Sequence, residues 1–160
     1  MVECARCSAV NRRGRQCSRN TCKYSNLCWQ HTQSQLQLKI APSGIKESGD
    51  GLFTLKAIKK GETVTPYEGK LMTTTEWKQN PSEYGIQITK NYVIDARSTQ
   101  SGLGRWANDC RPQNRADGDC VNNNCKFSIN RQRKTAKIVA TRNIPAGAEL
   151  FVSYGSSYWK

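Results

Sequence analysis

The sequence predicts a mainly β fold of short strands, preceded by a small metal-stabilised module. Three observations carry this. Short apolar runs alternate at period two and are separated by turn residues. No segment sustains the 3.6-residue apolar period of a helix. Of the eight Cys, five crowd into the first 28 residues, where apolar periodicity is almost absent.

The N-terminal stretch, residues 1–33, cannot bury a core of its own and needs a metal to fold. Gln33-Ser34-Gln35 is a plausible junction to a larger domain, 34–160. There, Leu36, Leu38 and Ile40 alternate with polar partners, and similar runs lie at 52–57, 84–89, 92–95, 125–129, 137–141 and 149–153. Ser48-Gly49-Asp50-Gly51, Lys60-Gly61-Glu62, Asn80-Pro81 and Ile144-Pro145-Ala146-Gly147 punctuate them. Residues 74–79 read as one short helix, with a Thr cap ahead of Glu76. The stretches 58–64 and 144–150 share apolar, turn and apolar positions, each followed by a Tyr and a Gly, a match short enough to arise by chance.

Hydrophobic residues make up 36% of the 160-residue chain, and four Trp with six Tyr argue against disorder. No run approaches the roughly 18 apolar residues of a membrane span. The start lacks the apolar core of a secretory signal, which points to an intracellular, reducing compartment, where clustered Cys bind metal rather than pair. The net charge of +13 is spread along the chain and favours polyanions, nucleosomal DNA among them. Oligomeric state is left open by the sequence.

Cys4, Cys7, Cys17, Cys22, Cys28 and His31 offer six ligands for the four places of a tetrahedral zinc site. Cys28-Trp29-Gln30-His31 has the two-residue gap that lets both side chains reach one ion, and His31 is the single His of the chain. The segment resembles short Cys/His modules in proteins of large DNA viruses. That resemblance implies Cys7, Cys17, Cys28 and His31 as ligands, with Cys22 as substitute and Cys4 left over. Arg6, Arg12, Arg13, Arg15, Arg19 and Lys23 suit phosphates, and the module serves equally well as a brace. Cys110, Cys120 and Cys125 repeat the spacing of Cys7, Cys17 and Cys22 but lack a fourth ligand nearby, so they read as core or surface thiols.

In the larger domain five fragments occur in order: Gly49-Asp50-Gly51-Leu52-Phe53, Tyr67-Glu68-Gly69, Tyr92-Val93-Ile94-Asp95-Ala96, Gly104-Arg105-Trp106-Ala107-Asn108-Asp109, and Glu149-Leu150-Phe151-Val152-Ser153-Tyr154-Gly155. Their order and separations resemble the SET domain of protein-lysine methyltransferases over essentially all of 36–159. The resemblance implies a fold of several small sheets with a pseudoknot, the C-terminal segment threading under a loop. It also implies S-adenosylmethionine as cofactor and the lysine side chain of a protein, most simply a histone tail, as substrate in the nucleus.

By the same resemblance Gly49, Asp50, Gly51, Leu52, Arg105, Asn108 and Asp109 form the cofactor site together with Tyr154. Trp159 stacks on adenine or closes the core. Tyr154 is the catalytic tyrosine, with Tyr67 beside it, and Tyr67, Phe127 and Val152 line the lysine channel. Methyl transfer needs a neutral, aligned amine, which a narrow apolar channel near a sulfonium favours. Phe127 and Val152 carry no hydroxyl to pin a water in that channel, which leaves room for a second or third methyl group. Candidate acids for a basic peptide are Glu68, Glu76, Glu83, Asp117 and Asp119.

Two departures stand out. The family's usual His after Asn108 is Asp109 here, and the Cys-rich tail that often follows the domain is missing before Lys160, so Tyr158 and Trp159 close the site as in the smallest viral members. The competing reading is a basic zinc module on nucleic acid or chromatin with a SET domain that does not catalyse.

Overall fold

The computed structural model describes residues 4–155. The N-terminal module holds two short antiparallel strands, β1 (Ala5–Arg6) and β2 (Asn20–Thr21), with Ala5 opposite Thr21. One helical turn, α1 (Trp29–His31), runs straight into a wider turn over Thr32–Leu36. The segment expected as a junction is therefore helical, and Gln37 ends it in the left-handed region at φ 55°. β3 (Leu38–Pro42) then pairs with β4 (Asp50–Thr54), so that Ala41 faces Gly51.

Two three-stranded antiparallel sheets follow. β6 (Lys70–Thr73), β7 (Gly85–Thr89) and β8 (Tyr92–Asp95) form one, in the order β6-β8-β7. β5 (Thr63–Tyr67), β9 (Cys125–Asn130) and β10 (Thr135–Ala140) form the other, in the order β5-β10-β9. In β10, Ala136, Ile138 and Ala140 are buried while Thr135 and Lys137 face solvent, the period two expected of a half-buried strand. The helix α2 spans Thr74–Gln79, and Thr73 and Glu76 close a reciprocal capping box at its start. A 3₁₀ turn at Gly104–Trp106 and a short α3 (Pro112–Ala116) complete the elements.

Leu38, Leu52, Ile58, Ile138, Ile144 and Leu150 meet in one core shared by the β3-β4 pair and the two three-stranded sheets, while Cys7, Ala9 and Cys28 form a separate small cluster in the N-terminal module. Each such side chain stabilises the fold by about 1.5–3 kcal/mol through burial. The stretches 58–64 and 144–150, whose likeness had looked accidental, are paired: Ile58 and Ile144 exchange both backbone hydrogen bonds, at 2.9 and 2.8 Å.

The segment 150–152 is held on both flanks. Val152 N donates to Asn108 O on one side, and Asn124 N and Cys125 N donate to Phe151 O on the other. Residues 109–123 join those two flanks. This is the threaded arrangement expected of the C-terminal segment, and it makes the fold an exception to the rule against knotted chains.

Candidate active site and metal centre

A cavity of about 460 Å³ lies where these elements converge. The turn before β4 contributes Gly49, β4 begins in it with Asp50, β5 ends in it with Tyr67, and β9 contributes Phe127. Tyr84, Trp106, Asn108 and Tyr154 complete the wall. Five aromatic side chains thus surround the space. Among the described residues its charged lining is Glu47, Asp50 and Glu83 against Arg105, an acidic excess on a chain of net charge +13.

The two tyrosines are fixed through their hydroxyls. Tyr154 OH donates to Ala107 O at 2.7 Å, and Tyr67 OH donates to Tyr84 O at 2.8 Å. A phenol whose proton is committed to a carbonyl can only accept from a third group. Phe127 packs edge-on against Tyr67, ring centroids 5.1 Å apart. Gly104 sits where a Cβ would come within 2.9 Å of Pro66 O and the Tyr67 ring, so its lack of a side chain lets the 3₁₀ turn close on that tyrosine.

Around them runs a buried polar frame. Arg105 donates from Nε to Ala96 O at 2.8 Å, and its guanidinium lies over the Tyr84 and Trp106 rings at 4.2 and 4.4 Å. Asn108 Nδ2 donates to Asp50 O at 3.1 Å, tying the Gly49-Asp50 turn to the 3₁₀ segment. Asp109 is buried, and its carboxylate accepts Tyr154 N–H at 2.9 Å and Asn123 Nδ2–H at 2.8 Å.

In the N-terminal module the ligand atoms of Cys7, Cys17, Cys28 and His31 all lie within 4.8 Å of one another. His31 Nδ1 is 3.4 Å from Cys7 Sγ and 3.3 Å from Cys28 Sγ. Cys7 and Cys28 are buried. Burial acts to raise the Cys7 thiol, but the Cys28 and Ala9 backbone and the His31 ring outweigh it and bring it down to about 7. Cys28 is raised, by burial first and then by the neighbouring Cys7. Three sulfurs and one imidazole nitrogen at this spacing are the donor set of a tetrahedral structural zinc site.

Cys22 is not available to that cluster. It is joined to Cys4 in a disulfide, with Cα atoms 4.1 Å apart. Cys110 and Cys120, expected as thiols, are likewise bonded to each other, while Cys125 remains a buried thiol pushed up by burial to about 12. The two pairings correct the expectation of unpaired cysteines outside the metal site.

The sequence model of the SET domain matches residues 49–155, the stretch that contains the whole cavity wall apart from Glu47 and Ser48. The chain belongs to the SET-domain family. It is also similar to the N-lysine methyltransferase KMT5A-A of Danio rerio, 27% identical over 125 residues. That alignment covers 69% of this chain and 33% of the relative, so the chain spans about a third of the relative's length.

Within this SET domain, Gly49, Asp50, Tyr67, Arg105, Asn108, Phe127 and Tyr154 are brought together at the cavity. Other residues expected there lie behind its wall. Leu52 and Val152 are fully buried in the core, and Asp109 acts from outside through the Tyr154 backbone. Gly51 also stands back. A Cβ there would meet Glu149 Oε1 at 2.1 Å, so this glycine makes room for a carboxylate of the same chain. Trp159 and Tyr158 lie outside the described residues. Of the five candidate acids only Glu83 lines the cavity. Trp106, Tyr84 and Glu47 were missed, although Trp106 sits inside the fragment that carries Arg105 and Asn108.

Proposed function

We propose that this SET domain transfers a methyl group from S-adenosylmethionine to the side-chain nitrogen of a protein lysine, with a histone tail as substrate. The observation that carries the reading is the cavity: aromatic walls and an acidic excess on an otherwise basic molecule. Such a lining favours cations over aromatic faces, and both the sulfonium and the incoming lysine are cations. The cofactor, when bound, supplies an electrophilic methyl group and leaves as a neutral thioether.

The chain's own residues do the rest. Asn108 and the Gly49-Asp50 turn hold the amino-acid end of the cofactor, and Arg105 with Trp106 walls it. Tyr154 and Tyr67, their protons committed to Ala107 O and Tyr84 O, accept from the N–H groups of the amine and aim its lone pair. The incoming lysine ammonium gives one proton to water before attack, and the neutral amine then takes the methyl group and becomes the methylated ammonium. Glu83 offers local acid to a basic peptide. In the N-terminal module Cys7, Cys17, Cys28 and His31 hold a structural zinc. A histone substrate makes the nucleus the compartment of action.

The test is methyl transfer from labelled S-adenosylmethionine to recombinant nucleosomes and free histones, beside Tyr154→Phe. Label on a histone, lost in the variant, is the expected result. Cofactor binding without label would remove the histone assignment, and absence of cofactor binding would remove the enzyme.

One observation favours a second surface. The hairpin β9-β10 and its flanks carry Lys126, Arg131, Arg133, Lys134, Lys137 and Arg142, with no acid between residues 120 and 148. Such a hairpin suits a phosphate backbone and would add nucleosomal DNA as a partner, or carry a non-catalytic role alone. Steeply salt-dependent DNA affinity, weakened by Arg131→Ala and Arg133→Ala, is the expected signature.

A further inference from the structure

We infer that Lys23 is a positioning residue of the cavity, held in place by the metal centre, so that metal occupancy and cofactor affinity are coupled. The inference rests on reading the cavity as the S-adenosylmethionine site.

Cys17 and Cys28 both belong to the Cys/His cluster, so a bound metal would close residues 18–27 into a loop. That loop is where the module meets the SET domain. Tyr24 OH donates to Ile40 O, Ser25 Oγ to Gln100 O, and Gln100 Nε2 back to Thr21 O, each at 3.1 Å. Ser25 holds φ 58°, a left-handed conformation that a serine keeps only where its surroundings impose it.

At the tip of the loop Lys23 makes three contacts with two residues of the cavity wall. Its Nζ lies 2.6 Å from Asp50 Oδ2, its carbonyl accepts Trp106 Nε1–H at 3.1 Å, and its ammonium lies 5.7 Å from the Trp106 ring centre. Lys23 itself does not line the cavity, whereas Asp50 and Trp106 do. It acts through them. Asp50 is further pinned by Asn108, so the ammonium, the carboxylate, the indole and the amide form one frame around the turn expected to hold the cofactor.

The module's basic residues are not all free to grip phosphate. Arg6 is spent inside the module, donating to Cys17 O and Gln16 O. The structure thereby favours the brace over the phosphate grip for this part of the chain. The metal would fix the loop ends, the loop would fix Lys23, and Lys23 would fix the wall.

The experiment is calorimetric titration of S-adenosylmethionine into the full zinc-loaded chain and its variants, with zinc content measured on each. Lys23→Ala is expected to weaken binding about fivefold, as befits a half-exposed ion pair, and Lys23→Glu more. Lys23→Arg restores affinity to within about twofold, which a merely structural role would not require. All three retain their zinc, and rising salt narrows the gap between Lys23→Ala and the wild type. Cys17→Ser, which lowers zinc content, weakens cofactor binding at least as much as Lys23→Ala.

Unchanged affinity in Lys23→Ala and Lys23→Glu would overturn the inference while leaving the cofactor site standing. Weakened binding in the Lys23 variants with none in zinc-depleted Cys17→Ser would overturn the coupling to metal. A wild-type chain that does not bind the cofactor would overturn both this inference and the reading beneath it.

Discussion

Asp109 accepts the backbone N–H of Tyr154 at 2.9 Å, across the seam where residues 150–152 thread past Asn108. A carboxylate stands where the family resemblance led to the expectation of an imidazole, and it holds the tyrosine by its main chain. Asp109→Ala leaves two half-buried N–H donors without that acceptor, Tyr154 N and Asn123 Nδ2. The expected cost is about 1.5–3 kcal/mol in urea unfolding. Methyl transfer should fall further than stability explains, because the tyrosine proposed as catalytic loses its anchor. Full activity in Asp109→Ala would refute that anchoring role.

Gly51 and Gly49 should respond to alanine for different reasons. At Gly51 the new methyl collides with Glu149, whose oxygens are held by Ser43 Oγ at 2.6 Å and Gly44 N at 2.9 Å. Overpacking of this kind costs about 1–3 kcal/mol. At Gly49 the space is open and the cost, about 1 kcal/mol, comes from φ +68° alone. A double-mutant cycle separates them: Glu149→Ala should partly rescue Gly51→Ala and leave Gly49→Ala unrescued.

Phe127 faces the cavity beside Tyr67 without a hydroxyl. If the channel admits a methylated amine, the wild-type enzyme adds more than one methyl group. Phe127→Tyr should then shift the product towards monomethyl-lysine, read by mass spectrometry at full turnover. Monomethyl product alone from the wild type would end this account of the channel.

Acid should erode stability through Asp95. Burial acts to raise its pKa, but hydrogen bonds from Arg97 and Ser82 outweigh it and hold the carboxyl below the usual range. A depressed folded value means the contribution is complete above the unfolded value of about 3.9 and is lost as pH falls through the folded one. Urea midpoints of wild type and Asp95→Asn should differ at pH 6, and the gap should narrow as pH falls below about 3.9. A constant difference would assign the stabilisation elsewhere.

The proposed metal ligands should divide cleanly by substitution. Cys17→Ser and His31→Ala should lose zinc, whereas Cys22→Ser, whose sulfur is joined to Cys4, should keep it. Metal analysis of purified full-length variants decides the matter, and zinc loss from Cys22→Ser would redraw the site.

What could be read from the sequence was mostly local. The helix Thr74–Gln79 was legible because Thr73 and Glu76 answer each other three residues apart, and β8 because Tyr92, Val93, Ile94 and Asp95 form one short run. The cavity was legible where fragments carry the family pattern, as at Gly49, Asn108 and Tyr154. It was not legible at Trp106, whose indole finds its partner in Lys23 far back in the chain. Nor was the packing at Gly51 legible, since Glu149 approaches it from the distant C-terminal segment. The sulfur pairings stayed hidden because spacing does not determine connectivity.

The pairing of Ile58 with Ile144 has a consequence for the order in which this protein assembles. More than half of the chain separates the two residues, and Tyr67 and Tyr154 each follow one of these paired stretches into the cavity. A nascent chain can form β6, β7 and β8 early, since their contacts are near in sequence, but this seam must wait for residues 144–154. Distant pairings and a threaded segment make for slow closure. The cavity is therefore expected to be among the last regions to become native, and a ribosome stalled before Ile144 would display a domain whose cavity lacks the Tyr154 side of its wall.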